Sequence, residues 1–146
     1  MKSIILLSFL AIISFGSVHA QMEEALVREC AKSIGEEATY LKDFVVDLGP
    51  AEADGRPPQS KFSMVLSKNT VYKFTVCNSD TKPGKGVIQL FDTNRMLGSS
   101  YMEATGKDYQ GFEFKCQKTG VYHLFVHFQE GKPGMAVCII SYVETM

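Results

Sequence analysis

The chain has 146 residues, with 15 Lys and Arg against 16 Asp and Glu, and no Trp. That balance excludes a basic nucleic-acid binder and a polybasic membrane-surface protein. No second long apolar run follows the one at the N-terminus, which excludes an integral membrane protein.

Residues 1–20 read as a secretory signal peptide. Lys2 precedes an apolar run from Ile4 to Phe15, and Val18-His19-Ala20 is a small-residue exit, with cleavage before Gln21. The remaining chain keeps 14 basic and 16 acidic side chains and suits one domain. Export places it in a secreted or periplasmic, oxidising space with no further membrane span.

Residues 21–48 are expected to form an N-terminal helical segment packed on the domain. Leu26, Cys30 and Ile34 recur every fourth residue, with Val27 and Ala31 beside them and charges elsewhere. Gly35 interrupts the pattern, and Glu36–Lys42 reads as a second short helical turn. Residues 49–60 are a loop rich in breakers: Gly49-Pro50, Asp54-Gly55 and Pro57-Pro58.

Residues 61–146 change to short strands and turns. Lys61–Ser67 and Thr70–Cys77 flank a tight turn at Lys68-Asn69, with Tyr72, Phe74 and Val76 alternating against Lys73 and Thr75. Val87–Phe91 and Met96–Met102 follow as strands around the Asp92–Arg95 turn. Ala104–Asp108 is a polar connection. Phe112, Phe114 and Cys116 alternate with charges, and Tyr122, Leu124, Val126 and Phe128 share one face of the next strand. Met135–Val143 is apolar on both faces, the pattern of a central strand or one covered by a helix. The expected fold is mainly β: an antiparallel, jelly-roll-like β-sandwich of about 7–8 strands with an N-terminal helix. Its core draws on the eight Phe residues beyond the signal, Phe74 and Phe114 among them.

Four cysteines remain, Cys30, Cys77, Cys116 and Cys138, as disulfide candidates with three full pairings open. None forms a local C-x-x-C pair, which argues against a zinc site. Cys138 also fits as a small buried hydrophobe. His123 and His127 lie four apart on one strand, roughly 13 Å, too far to chelate one ion together. No G-x-S-x-G or phosphate-loop pattern is present, and no catalytic residue or cofactor is assigned. Asp92 and Asn94, with Asp80 or Asp108, are oxygen donors suited to Ca²⁺, although a dense acidic loop is missing. Tyr101 and Tyr109 flank a loop and are candidate sugar contacts in place of Trp.

Three stretches carry a family resemblance: Tyr72-Lys73-Phe74-Thr75-Val76, Leu90-Phe91-Asp92 followed by Leu97, and Thr119–Val126. In order and spacing they resemble the pre-peptidase C-terminal domain and related jelly-roll-like sandwiches of secreted proteins, over about residues 61–143. The stretches 37–44 and 116–122 also resemble small exported proteins of Bacteroidota-type bacteria. The resemblance implies location and fold and brings no catalytic residue. The function expected is an exported, non-enzymatic sandwich that binds a protein or a cell-surface component. The alternatives are a carbohydrate- or calcium-binding module, or a hydrolase with a loop site near Asp92 and Asp108.

Overall fold

Two four-stranded antiparallel sheets face each other in the computed structural model, which describes residues 17–146. The signal-peptide reading falls largely outside the described residues; Ser17–Ala20 form the first turn of a helix. That helix, α1, spans Ser17–Lys32. The strands are β1 (Thr39–Leu48), β2 (Ser60–Leu66), β3 (Thr70–Asn78), β4 (Gly86–Phe91), β5 (Met96–Ser99), β6 (Tyr101–Met102), β7 (Lys107–Asp108), β8 (Gly111–Cys116), β9 (Gly120–Phe128) and β10 (Gly134–Thr145).

Sheet A has the order β1-β10-β3-β8, and sheet B the order β2-β9-β4-β5. The pair β6-β7 is a separate small hairpin. The chain alternates between sheets along β1-β2-β3-β4 and again along β8-β9-β10. Those two interleaved passages make the eight longer strands a jelly roll.

The period-two patterns set the core. Phe74 and Val76 of β3, Leu124 and Val126 of β9, Ile88 and Leu90 of β4 and Cys138 of β10 all point between the sheets and are buried. Tyrosines fix the two arches at one end. The Tyr72 hydroxyl accepts a hydrogen bond from the Ser67 amide at 3.0 Å, and the Tyr122 hydroxyl donates to the Lys118 carbonyl at 2.5 Å. Each ties a strand start back across its turn, as tyrosine corners do in sandwiches. The Lys68 amide then donates to Thr119 Oγ1 at 2.9 Å, joining the two arches. Asn69 adopts φ +61° in the first turn, a conformation Asn accepts more readily than most residues. Tyr122→Phe removes the hydroxyl and leaves the Lys118 carbonyl without this donor. The expected loss is about 1–2 kcal/mol, read from the urea midpoint.

Three sequence expectations are corrected here. Thr39–Leu48 is a strand, so the helical segment stops at Lys32 and the sandwich begins before residue 61. The expected helical turn over 36–42 does not form. Gly35 turns the chain at φ +91°, and Phe44, Val46 and Leu48 then face the core while Val45 faces α1. Burial on both sides hid the strand alternation. Met96–Met102 is two strands rather than one. Between them Ser100 is buried, with its Oγ accepting from the Ile88 amide at 3.0 Å and its own amide donating to the Ile88 carbonyl at 3.0 Å. Finally, the polar connection 104–108 contains β7.

β10 is central in sheet A and is also covered by α1. Val137 and Ile139 on its outer side meet Cys30 and Ile34, with Leu26, Val27 and Ala31 packed against them. Cys30 and Cys77 form a disulfide that pins the end of α1 to β3. Lys73 Nζ adds a hydrogen bond to the Ile34 carbonyl at 2.9 Å. Gly134 starts β10 because the Phe128 ring lies on its backbone: a Cβ there would stand 2.1 Å from a ring carbon.

Candidate functional site

α1 covers β10 on the outer face of sheet A, whereas among the described residues no helix lies over sheet B. Strand alternation decides what that open face shows. With Tyr122, Leu124, Val126 and Phe128 of β9 turned inward, Val121, His123, Phe125 and His127 turn outward. The register sets them in rows. Lys61, Phe125 and Gln89 lie side by side across β2, β9 and β4, and Ser63, His123 and Phe91 form the next row. Val65 and Val121 are a third pair, 69% and 56% exposed, and Met96 beside Phe91 is 52% exposed. These exposed apolar side chains share one sheet face.

The aromatic residues make a corner, not a platform. The Phe91 and Phe125 rings stand edge to face, with centroids 5.3 Å apart and planes at 80°. Lys61 Nζ sits over the Phe125 ring at 5.7 Å. These residues, with Gln59, Gln89 and Asn94, line an open cleft of about 350 Å³. A larger cavity of about 580 Å³ adjoins it at the β5–β8 side, walled by Arg95, Leu97, Phe114, Lys115 and Lys118.

Ser63 Oγ and His123 Nδ1 are 2.8 Å apart, the spacing of a nucleophile and a base. No carboxylate among the described residues hydrogen-bonds the other ring nitrogen to orient it, as a triad needs. Burial lowers the pKa of His127, and the nearby Glu103 charge opposes that shift. Among the described residues no three His, Cys, Asp or Glu side chains are grouped to hold a metal ion.

The residues singled out from sequence are scattered. Asp92 borders the larger cavity and Asn94 the smaller cleft. Asp92 Oδ1 accepts from the Arg95 amide at 3.1 Å and Oδ2 from its guanidinium at 3.2 Å, so this carboxylate closes its own turn. Tyr101 lies in the β6-β7 hairpin opposite Asp108. Tyr109 follows that hairpin, and its amide donates to the Ser100 carbonyl at 2.7 Å. It lines a different cleft, beside Asn78 and Gln110. The two tyrosines therefore do not join Asp92 and Asn94 in one site. Sequence reasoning passed over Lys61, Gln89, Phe91, Phe125 and Lys118. The legible signal was Phe125, an aromatic at an outward position between two histidines.

The cysteines divide into two kinds. Cys30 and Cys77 are bonded, and Cys116 and Cys138 are free and buried. The free pair cannot bridge. Cys116 faces Thr70 and Cys138 faces Val76 on β3, a separation of roughly 20 Å along the strand. Burial pushes the Cys138 thiol up to about 12. The folded state thus holds this proton more tightly than the unfolded chain, whose thiol titrates near about 8.5. Stability from this group is complete below the unfolded value and falls as pH rises from there through about 12. The urea midpoint is expected to fall over that window, and to fall less in Cys138→Val. Alkylation in urea without reductant should label two thiols per chain, Cys116 and Cys138. Labelling of all four would contradict the bonded pair.

A scan against models of known protein families and a search of curated proteins gave no match to this chain. Among the described residues no helix is long and apolar enough to cross a membrane.

Proposed function

We propose that this protein is an exported, non-enzymatic jelly-roll module that binds a cell-surface component through the outer face of sheet B. One observation carries the reading. On sheet A the helix α1, held by a disulfide, covers Val137 and Ile139, while the outer face of sheet B leaves Val65, Val121 and Met96 exposed around the Phe91–Phe125 corner. The Lys2-to-Ala20 pattern supports export, and the Cys30–Cys77 disulfide suits an oxidising compartment. The resemblance of residues 61–143 to sandwich domains of secreted proteins agrees with this role.

The test uses the mature protein and the native envelope fraction in a co-sedimentation assay. Val121→Asp puts a charge on the face at a position that is already 56% exposed, so folding should survive. Binding is expected to weaken about tenfold or more, which corresponds to about 1.4 kcal/mol. Glu29→Ala on the exposed side of α1 should bind as the wild type does. Equal binding by Val121→Asp and wild type would overturn the reading.

A further inference from the structure

The two clefts meet at Thr93, which lines both; the smaller lies on the outer face of sheet B and the larger beside it, where β5 of sheet B approaches β8 of sheet A. Their charge is one-sided. Lys61 lines the smaller cleft, and Arg95, Lys115 and Lys118 line the larger. Asp92 is the one carboxylate among the described residues lining either, and Arg95 already engages both its oxygens. Lys61, Lys115 and Lys118 make no ion pair among the described residues. Lys61, Arg95 and Lys118 against one occupied carboxylate make a local excess of positive charge in a chain whose net charge is −1. Such a surface selects an anion.

The remaining lining narrows the ligand's chemistry. Gln59, Gln89 and Asn94 stand along the smaller cleft and Gln117 along the larger, and Thr93 joins them. An amide offers a donor and an acceptor side by side, which fits neighbouring hydroxyls. The edge-to-face Phe91–Phe125 corner offers apolar contact to C–H groups but no flat stacking platform for successive bases. An extended peptide would look for a free ladder edge. The floor of the smaller cleft, β9 and β4, offers none, each strand being paired on both sides, whereas the larger adjoins the edge strands β5 and β8, so poly-glutamate is the comparison that tests a peptide. Both clefts are open, so a chain can lie across them.

We propose that the two clefts form one continuous track for an acidic polysaccharide. Its carboxylates meet Lys61 and Lys118, its hydroxyls meet the amides, and a sugar edge packs on Phe125. This rests on the sheet B face being the ligand face.

Calorimetry with polygalacturonate as the probe tests it, with dextran, poly-glutamate and a single-stranded oligonucleotide as comparisons. Polygalacturonate should bind, and each comparison should bind about tenfold more weakly or less. The exposed double variant Lys61→Ala/Lys118→Ala should lose about tenfold or more in affinity, as should Phe125→Ala, with circular dichroism unchanged. Lys32→Ala on α1 should change nothing. No binding of polygalacturonate, equal binding of poly-glutamate or the oligonucleotide, or an unaffected lysine double variant would each overturn the proposal. If polygalacturonate fails while Val121→Asp still abolishes envelope binding, the face is right and the acidic sugar is wrong. If both fail, the face itself is wrong.

Discussion

Phe74→Ala is expected to destabilise the protein by about 3–5 kcal/mol, measured from denaturant midpoints at constant slope. The side chain is fully buried between the sheets and stacks on Phe112 with centroids 5.4 Å apart. Its strand is flanked by β10 and β8, which limits how far the backbone can move to fill the hole. Phe114, equally prominent in the sequence, is only half-buried and meets Tyr122 edge-on at 5.5 Å. Phe114→Ala should therefore cost less than Phe74→Ala. An effect at Phe74 below about 1 kcal/mol would place that ring outside the core.

Removing the disulfide with Cys30→Ala/Cys77→Ala is expected to cost about 4 kcal/mol. The cross-link closes a separation of 47 residues, and the loop-entropy relation for that length gives the figure. The loss should appear chiefly where α1 meets sheet A. Val137 and Ile139 rely on Cys30 and Ile34 for cover, and the disulfide holds the helix end in place. Amide exchange of β10 should quicken more than that of β9. Treatment of the wild type with reductant should reproduce the shift. A double variant as stable as the wild type would show that packing alone seats the helix.

The sandwich was legible in the sequence because most strands bury one face. β8 and β9 alternate in burial, Tyr122 to Phe128 reads as a single inward row, and β3 alternates in residue type at Tyr72, Phe74 and Val76 although Val71 and Thr75 on its other side are buried too. β1 was not legible. Val45 is apolar for α1, and Phe44 and Val46 are apolar for the core, so the period of two disappears. The doubly apolar run 135–143 showed the same burial and was readable through its length. The candidate site was harder. Asp92 looked like a free loop carboxylate, yet Arg95 three residues on takes both its oxygens. Lys61, Thr93 and Lys118 are distant in sequence and ordinary in type. Only the pairing of β2 with β9 and the approach of β5 to β8 gather them. Pairing of the cysteines likewise depended on α1 lying over β3, which spacing does not encode.

The most direct measurement is nuclear magnetic resonance mapping of the isotope-labelled protein titrated with oligogalacturonate. Shifts are expected to cluster at Lys61, Gln89, Thr93, Lys118 and Phe125 on the sheet B side, with α1 and the outer residues of β10 unmoved. Shifts centred on α1 and sheet A would contradict an open sheet B face as the binding surface, and none at saturating ligand would contradict an acidic sugar as its ligand.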